Sequence, residues 1–477
     1  MASQQTTERP QTPGAAAAAA VDWELMERWD RQYYLHNVQG RDEHEWNGVA
    51  YQEGNYLYMV DGTRLLDCQS QLISDNMGHR HPRVVEGLKK ALDRYGHVYF
   101  GMATDYRARA AKLIVSDLLE QDGWAGRVRI LPSGSDAVEV ALMMARVYTG
   151  RSVVLTQQHS FHGLTAGSGT RVRGYNNQLS SVQQSRGVRD VPGAELPTFH
   201  TIPAPEHEDF DASAGLPSVA ALERAIEEVG PDQIAAVVTE TMLGVAGIMG
   251  HPDYLPAVRK LTSKHGILWI DDEVICGFGR LGKWFSYQLY DGLRPDIMPI
   301  GKGMNGCILP VGGVVASTEV AELFERDRWY SGSTWDGHPL VAATIVANIE
   351  AMITEGAVEH GAEMGVRLRA GLEALRDRHP SIGRIGGSGL YHAVDLVGRD
   401  REPIVGQDRA FDFTGDLSGT PTAIIREEAA KHGVWLTGFV PITIKVAPPL
   451  TVTAEEIDVT LEAFDAGLDI VDQRYAS

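Results

Sequence analysis

Hydrophobic positions along the chain follow two alternating patterns. Short apolar runs at Val128–Leu131, Ser152–Leu155, Ile234–Val238, Ile267–Ile270, Ile297–Ile300 and Val311–Ala316 are bounded by turn-forming residues and read as buried strands. Between several of them, Ala137–Val147, Ser218–Val229 and Leu255–His265 carry apolar residues at helical spacing. Strands alternating with helices predict an α/β fold, a largely parallel sheet covered on both faces. Sites in such sheets sit in loops at the carboxyl ends of the strands. The pattern changes outside this block. Residues from about 21 to 80 hold the strand-like pieces Tyr56–Val60 and Arg64–Asp67. After residue 340 come the amphipathic helices Val341–Glu355 and Glu363–Arg378, a strand Leu390–Val397 and a closing helix Ala454–Ile470. The glycine-rich stretch Gly383–Gly389 reads as a turn into that strand. The predicted division is a flexible tail over 1–20, part of a small domain over 21–80, a large domain over 81–335 and the rest of the small domain over 336–477.

Composition narrows the class. Of 477 residues, 43% are hydrophobic and 22% charged, enough apolar material for a substantial core. Lys and Arg number 43 against 63 Asp and Glu, a net charge of −20. That balance argues against sequence-independent nucleic-acid binding, which needs cations to displace phosphate counterions, and against docking on anionic lipid. No apolar run reaches the roughly 18 residues of a membrane span. Cys68, Cys276 and Cys307 stand far apart, without CxxC or metal-ligand spacing. The Ala15–Ala20 run lacks the basic leader and apolar strength of a secretion signal. Together these features predict a cytoplasmic protein without disulfides, with neither nucleic acid nor membrane as a partner.

Three segments carry candidate chemistry. Leu131-Pro132-Ser133-Gly134-Ser135-Asp136-Ala137 follows one predicted strand and opens a helix, whose free N–H groups and positive dipole end suit a phosphate. Ser133 or Ser135 supplies the cap, and Gly134 lets the backbone approach a ligand. A capped helix start is also common without any ligand, and no GxxxxGK[ST] loop occurs. Asp271-Asp272-Glu273 ends a buried strand, where carboxylates are destabilising unless a cation meets them. No His or Cys stands nearby at ligand spacing, so one cationic partner for one carboxylate is a simpler explanation than a metal. Lys302 closes a strand among small residues in Gly301-Lys302-Gly303. Apolar surroundings disfavour its charged form and make it a nucleophile toward a carbonyl; on a surface turn it would be an ordinary lysine. His79 and His81, two apart in a turn, are too few ligands for a metal. A nucleophilic lysine, a carboxylate for a pyridinium nitrogen and a phosphate-receiving helix start are together what pyridoxal phosphate requires.

With Phe161-His162-Gly163, Gly277-Phe278-Gly279-Arg280 and Gly337-His338-Pro339, these segments resemble the class III (omega-amino acid type) aminotransferases of pyridoxal-phosphate fold type I. Gly78-His79-Arg80-His81-Pro82 and Val311-Gly312-Gly313-Val314 look like those of transaminases that pair pyruvate with taurine, β-alanine or related ω-amino acids. The resemblance implies a large domain with a mostly parallel sheet and a smaller α+β domain built from both ends of the chain. It implies pyridoxal 5'-phosphate held as a Schiff base on Lys302, which also shuttles a proton, with Asp272 on the pyridinium nitrogen. Phe161 and Val274 would lie on the two ring faces, and Ser133, Gly134 and Ser135 at the phosphate. His162 would pack beside the cofactor as a structural residue, and Glu240 would stand near cofactor and substrate. Thr334 would reach the phosphate of a neighbouring subunit, which implies a homodimer with shared sites, alone or paired into a tetramer. Ile73 and Lys445 are the candidate substrate contacts.

The implied reaction is a ping-pong transfer from a small-molecule amino donor to a keto-acid acceptor, pyruvate being the expected one. Epimerisation or decarboxylation on the same residues is the alternative, and a cofactor-binding protein without activity is a third. Two departures bear on substrate. Relatives often carry arginine three residues before a Pro-Pro pair; here Ile444-Lys445-Val446-Ala447-Pro448-Pro449 places a lysine there, a point charge instead of a planar fork. Ser331-Gly332-Ser333 also replaces a stretch that in relatives often begins with His-Gly.

Overall fold

The computed structural model describes residues 13–36, 46–165, 198–327, 329, 331–404, 418–437 and 441–476. Of the expected tail, residues 1–12 lie outside this set, and the alanine-rich remainder forms the helix Pro13–Ala18, in keeping with alanine's helix propensity. Strands β1 (Val49–Glu53), β2 (Tyr56–Met59) and β3 (Arg64–Asp67) make an antiparallel meander. The helices Pro82–Leu92 and Asp105–Lys112 lead to β4 (Ala125–Leu131), β5 (Val153–Gln157), β6 (Phe199–Ile202) and β7 (Ile234–Thr239). A short hairpin of β8 (Met242–Leu243) and β9 (Ile248–Met249) follows, then β10 (Leu268–Asp271), β11 (Ile297–Gly301) and β12 (Gly312–Ser317).

The central sheet has the order β4-β12-β11-β10-β7-β5-β6. Its neighbours run parallel, except that β12 is antiparallel to both β11 and β4. Residues 302–311 are too short a connection for a parallel crossover, so β12 turns back beside β11. Successive residues of each strand feed opposite faces. Val237, Trp269, Met298 and Val315 join one apolar cluster, and Val238, Ile270, Ile297 and Val314 join the other. Burial on both faces is why these strands read as unbroken apolar runs. The helix Gly134–Thr149 covers the second face with Ala137, Val138, Ala141, Leu142 and Ala145.

The C-terminal segment supplies β13 (Ile382–Ser388), β14 (Tyr391–Leu396), β15 (Val434–Trp435) and β16 (Thr443–Val446). Strands β13, β14 and β16 form an antiparallel sheet, whereas β15 pairs in parallel with β3, so one sheet draws on both ends of the chain. The stretch Gly383–Gly389, expected as a turn, is β13 for most of its length. Its glycines answer to packing: a Cβ at Gly383 would lie 2.7 Å from Val397, and one at Gly387 would collide with the Tyr391 carbonyl. His79 is buried and bridges Asp67 (3.0 Å) and Asp75 (2.8 Å). Burial works against its charge, but the two carboxylates outweigh it and lift His79 to about 9. All three cysteines are free. Among the described residues no single helix is long and apolar enough to cross a membrane.

One close approach ties the sheet to the start of the helix Gly134–Thr149. A side chain at Gly312 on β12 would run into the Ser133 carbonyl and come within 2.9 Å of the Gly134 nitrogen, both backbone atoms that cannot swing away. Gly312→Ala should therefore destabilise the fold by about 1–3 kcal/mol through overpacking. A chemical-denaturation midpoint unchanged from the parent would contradict this.

Candidate active site

Five candidate residues sit just past the carboxyl ends of central strands: Ser133 after β4, Phe161 after β5, Glu240 after β7, Asp272 after β10 and Lys302 after β11. These ends converge on one cavity of about 160 Å³, lined by Ser133, Gly134, Ser135, Phe161, His162, Glu240, Asp272, Val274 and Lys302, with Gly163, Ile275 and Val311. The sequence alone assigned no site role to the last three. Gly163 and Val311 stand inside motifs quoted above, and Ile275 lies between two of them, so chain proximity was the available signal.

Asp272 is nearly fully buried, and both of its carboxylate oxygens are engaged. Oδ2 lies 2.6 Å from His162 Nδ1, and Oδ1 accepts the Val274 N–H at 3.0 Å. The Asp272 backbone N–H donates to the Thr239 carbonyl at 2.8 Å, fixing the residue against β7. Burial alone would strip His162 of its proton. The hydrogen bond and charge of Asp272, helped by Glu240, outweigh it and raise the imidazole above its ordinary value. His162 is thus the hydrogen-bond partner of the middle carboxylate, a contact that favours the charged form of its ring. Its Nε2 has no hydrogen-bond partner.

Lys302 faces the same cavity. Burial lowers its pKa, with Asp272 and Glu240 opposing, which increases the share of neutral amine near neutrality. Its φ is +41°, a conformation that L residues seldom adopt and that costs about 1–3 kcal/mol. Glu240 is spent on the backbone, accepting the N–H groups of Phe161 (2.8 Å) and Gly244 (2.9 Å). Burial raises it to about 7 even though the His162 charge opposes the shift.

The anion-binding corner is the first turn of the helix Gly134–Thr149. Ser133 is the N-cap, its hydroxyl accepting the Asp136 N–H at 3.2 Å. Ser135 Oγ accepts the Leu164 N–H at 3.2 Å. A Cβ on Gly134 would sit 2.9 Å from Val274 Cγ1, and one on Gly301 would sit 3.3 Å from it, so the two glycines hold Val274 closely against the cavity. The set fits pyridoxal phosphate. An open helix start meets a phosphate, an anion meets a pyridinium, a buried amine meets an aldehyde, and Phe161 and Val274 supply apolar walls.

Three candidates stand outside the cavity wall. Thr334 is exposed on a turn before the helix Pro339–Glu355. Ile73 is buried in an apolar cluster with Met242, Cys276 and Tyr391, at the end of the stretch Ser70–Ile73, in which all four residues have positive φ. Lys445, on β16, is buried and donates to the carbonyls of Gly244 (3.0 Å) and Val245 (3.3 Å) instead of pairing with Glu240. Burial lowers it to about 8.

The family model described as aminotransferase class-III matches residues 40–468. A putrescine–pyruvate aminotransferase of Pseudomonas aeruginosa is 30% identical over 420 residues, covering 85% of this chain and 87% of that protein. The crystal structure of an S-selective transaminase from Arthrobacter sp. with alanine bound superposes with a TM-score of 0.89 at 39% identity, over 95% of this chain and 99% of that one. A taurine:2-oxoglutarate aminotransferase from Bifidobacterium kashiwanohense, in complex with PLP and glutamate, gives 0.85 at 28% identity, over 95% and 99% of the two chains. With that likeness running nearly end to end and the strand-end residues in place, the chain belongs to the class III aminotransferases, a pyridoxal-phosphate-dependent family.

Proposed function

We propose that the chain is a transaminase that takes the amino group from a primary amine or ω-amino acid and delivers it to pyruvate. The observation that carries this reading is the shared cavity. Lys302, deprotonated more readily by burial, and Asp272, paired with His162 at 2.6 Å, line the same enclosed space at the mouth of the helix Gly134–Thr149. When bound there, the cofactor supplies a carbonyl that receives the amino group and a ring that draws electrons from the donor carbon. Lys302 Nζ would anchor it and, when free, would be the base that takes the proton from the donor carbon. Asp272 would meet the protonated ring nitrogen, and His162 Nδ1 holds its carboxylate in place. The N–H groups of Gly134 and Ser135 would take the phosphate, and Phe161 with Val274 would limit access of water to the ring.

Acceptor choice rests on Lys445. Its ammonium is occupied by two backbone carbonyls and is not projected into the cavity, so a second acceptor carboxylate would lack a free cation there. A monocarboxylate suits this arrangement, as do the relative named for pyruvate and the S-selective neighbour with alanine, the amino form of pyruvate.

The proposed assembly is a homodimer. Thr334 is exposed beside Trp335 (56% exposed), and Tyr99 and Met102 (52% and 61%) lie near by in sequence with Phe100. Contacts join the two segments: the rings of His97 and Trp335 are 5.1 Å apart, and a Cβ on Gly332 would touch the Phe100 ring. An exposed aromatic patch of this kind marks a protein interface. A second copy seated on it brings Thr334 towards the partner's phosphate.

Lys302→Ala should lower turnover by at least about 10⁴-fold. Asp272→Ala should slow the amine half-reaction by about 10²–10³-fold, read from the absorbance of the bound cofactor. Near-parental rates in either variant would remove the assigned role. Amine donor added without a keto acid should stop after one turnover per site, and pyruvate should restart the cycle at least about tenfold more efficiently than 2-oxoglutarate, a difference of 1.4 kcal/mol. Continued turnover without a keto acid would instead indicate epimerisation or decarboxylation. Trp335→Asp should weaken the dimer by about 2 kcal/mol, or roughly thirtyfold in dissociation constant, by analytical ultracentrifugation. An unchanged mass distribution on dilution would exclude the patch as the interface.

A further inference from the structure

The two carboxyl groups flanking Asp272 take no part in the cavity. Strand alternation points Asp272 and Val274 into it and turns Asp271 and Glu273 to the opposite side. Both are fully buried, and among the described residues neither forms an ion pair. Glu273 Oε1 is satisfied by the Ser286 hydroxyl at 2.7 Å and the Tyr287 N–H at 3.0 Å. Glu273 Oε2 and both oxygens of Asp271 find no N–H or hydroxyl donor. Asp271 and Glu273 are within hydrogen-bonding reach of each other. The other titratable groups acting on Asp271 are the acids Asp272 and Glu240, and the phenol of Tyr290 and the thiol of Cys276 also feel its charge.

Two buried carboxylates in contact, without a cation, repel each other strongly, whereas one proton between them turns repulsion into a charge-assisted hydrogen bond. We propose that Asp271 and Glu273 are an acid–carboxylate pair sharing one proton, a positioning pair that joins both neighbours of Asp272 to each other and to the Ser286–Tyr287 segment. Asp271 is the donor and Glu273 Oε2 the acceptor. The pair carries one negative charge behind Asp272 instead of two. It also fixes the backbone on either side of Asp272, whose own N–H and that of Glu273 are bound to Thr239 and Pro299 carbonyls (2.8 and 2.9 Å).

Infrared difference spectroscopy of the folded protein at pH 7.5 tests this directly. The parent should show the carbonyl stretch of a protonated carboxylic acid. Parent-minus-variant spectra should show its loss in Asp271→Asn and its displacement in Glu273→Gln, where Asp271 keeps its proton but donates to an amide oxygen instead of a carboxylate. The second variant carries the test if the first does not fold. An amide at position 271 still donates to Glu273, so Asp271→Asn should retain cofactor at close to the parental rate. Asp271→Ala leaves Glu273 Oε2 without a donor and should release cofactor about tenfold faster. Absence of the band from the parent, its persistence in Asp271→Asn, an unshifted band in Glu273→Gln, or equal cofactor loss from Asn and Ala would overturn the shared proton. The band is independent of cofactor chemistry: a protein that showed it but did not transaminate would sink the proposed function and leave the pair standing.

Discussion

The site depends on keeping one carboxylate ionised where water cannot reach it. Asp272 lies at the end of a strand buried on both faces, a place where an isolated anion would take up a proton. Imidazole on one oxygen and a backbone N–H on the other compensate for the lost water. Placing those partners requires the loop after β5 to bring His162 across to the end of β10, and the order of the central sheet determines that approach. Lys302 is the counterpart. Its ammonium is disfavoured by burial, with Asp272 and Glu240 opposing, so the same volume raises the share of neutral amine.

Backbone strain is concentrated around this volume. Lys302 has a positive φ, as do His159, Phe278 and Cys307, and the four residues Ser70–Ile73 form a left-handed turn. Left-handed helical geometry costs roughly 1–2 kcal/mol per L residue, so four in a row persist only where the surroundings over-determine them. Ser70 Oγ donates to the Ala447 carbonyl at 2.6 Å, and Asp67 accepts the Gln71 N–H at 3.1 Å, which ties the turn to the C-terminal segment and to β3. The buried Arg280 reaches the carbonyls of Leu390 (3.0 Å) and Pro448 (2.6 Å), joining the loop after β10 to the same segment. The cavity is therefore braced by both ends of the chain.

The sheet was legible in the sequence because a strand buried on both sides must be apolar throughout, and Ile234–Val238 and Ile297–Ile300 are. The chemistry was legible at Lys302, Asp272 and Ser133–Ser135 because ionisable or helix-capping residues at strand ends are conspicuous. Other features were hidden for physical reasons. Gly383–Gly389 resembled a turn because glycine signals turns, yet here it relieves contact with neighbouring backbone in a strand. His162 resembled packing because its partner lies more than a hundred residues away, and sequence spacing carries no trace of a contact between strand ends. Lys445 has a charge that sequence alone assigns to a substrate, whereas its bonds are to carbonyls that only the fold brings near.

Protonation of the ring nitrogen of pyridoxal phosphate, reconstituted into the protein with a ¹⁵N label and followed by NMR across neutral pH, tests the central claim most directly. The account predicts the chemical shift of a protonated pyridinium hydrogen-bonded to Asp272 throughout that range. A shift typical of the unprotonated ring in the folded holoenzyme would contradict it.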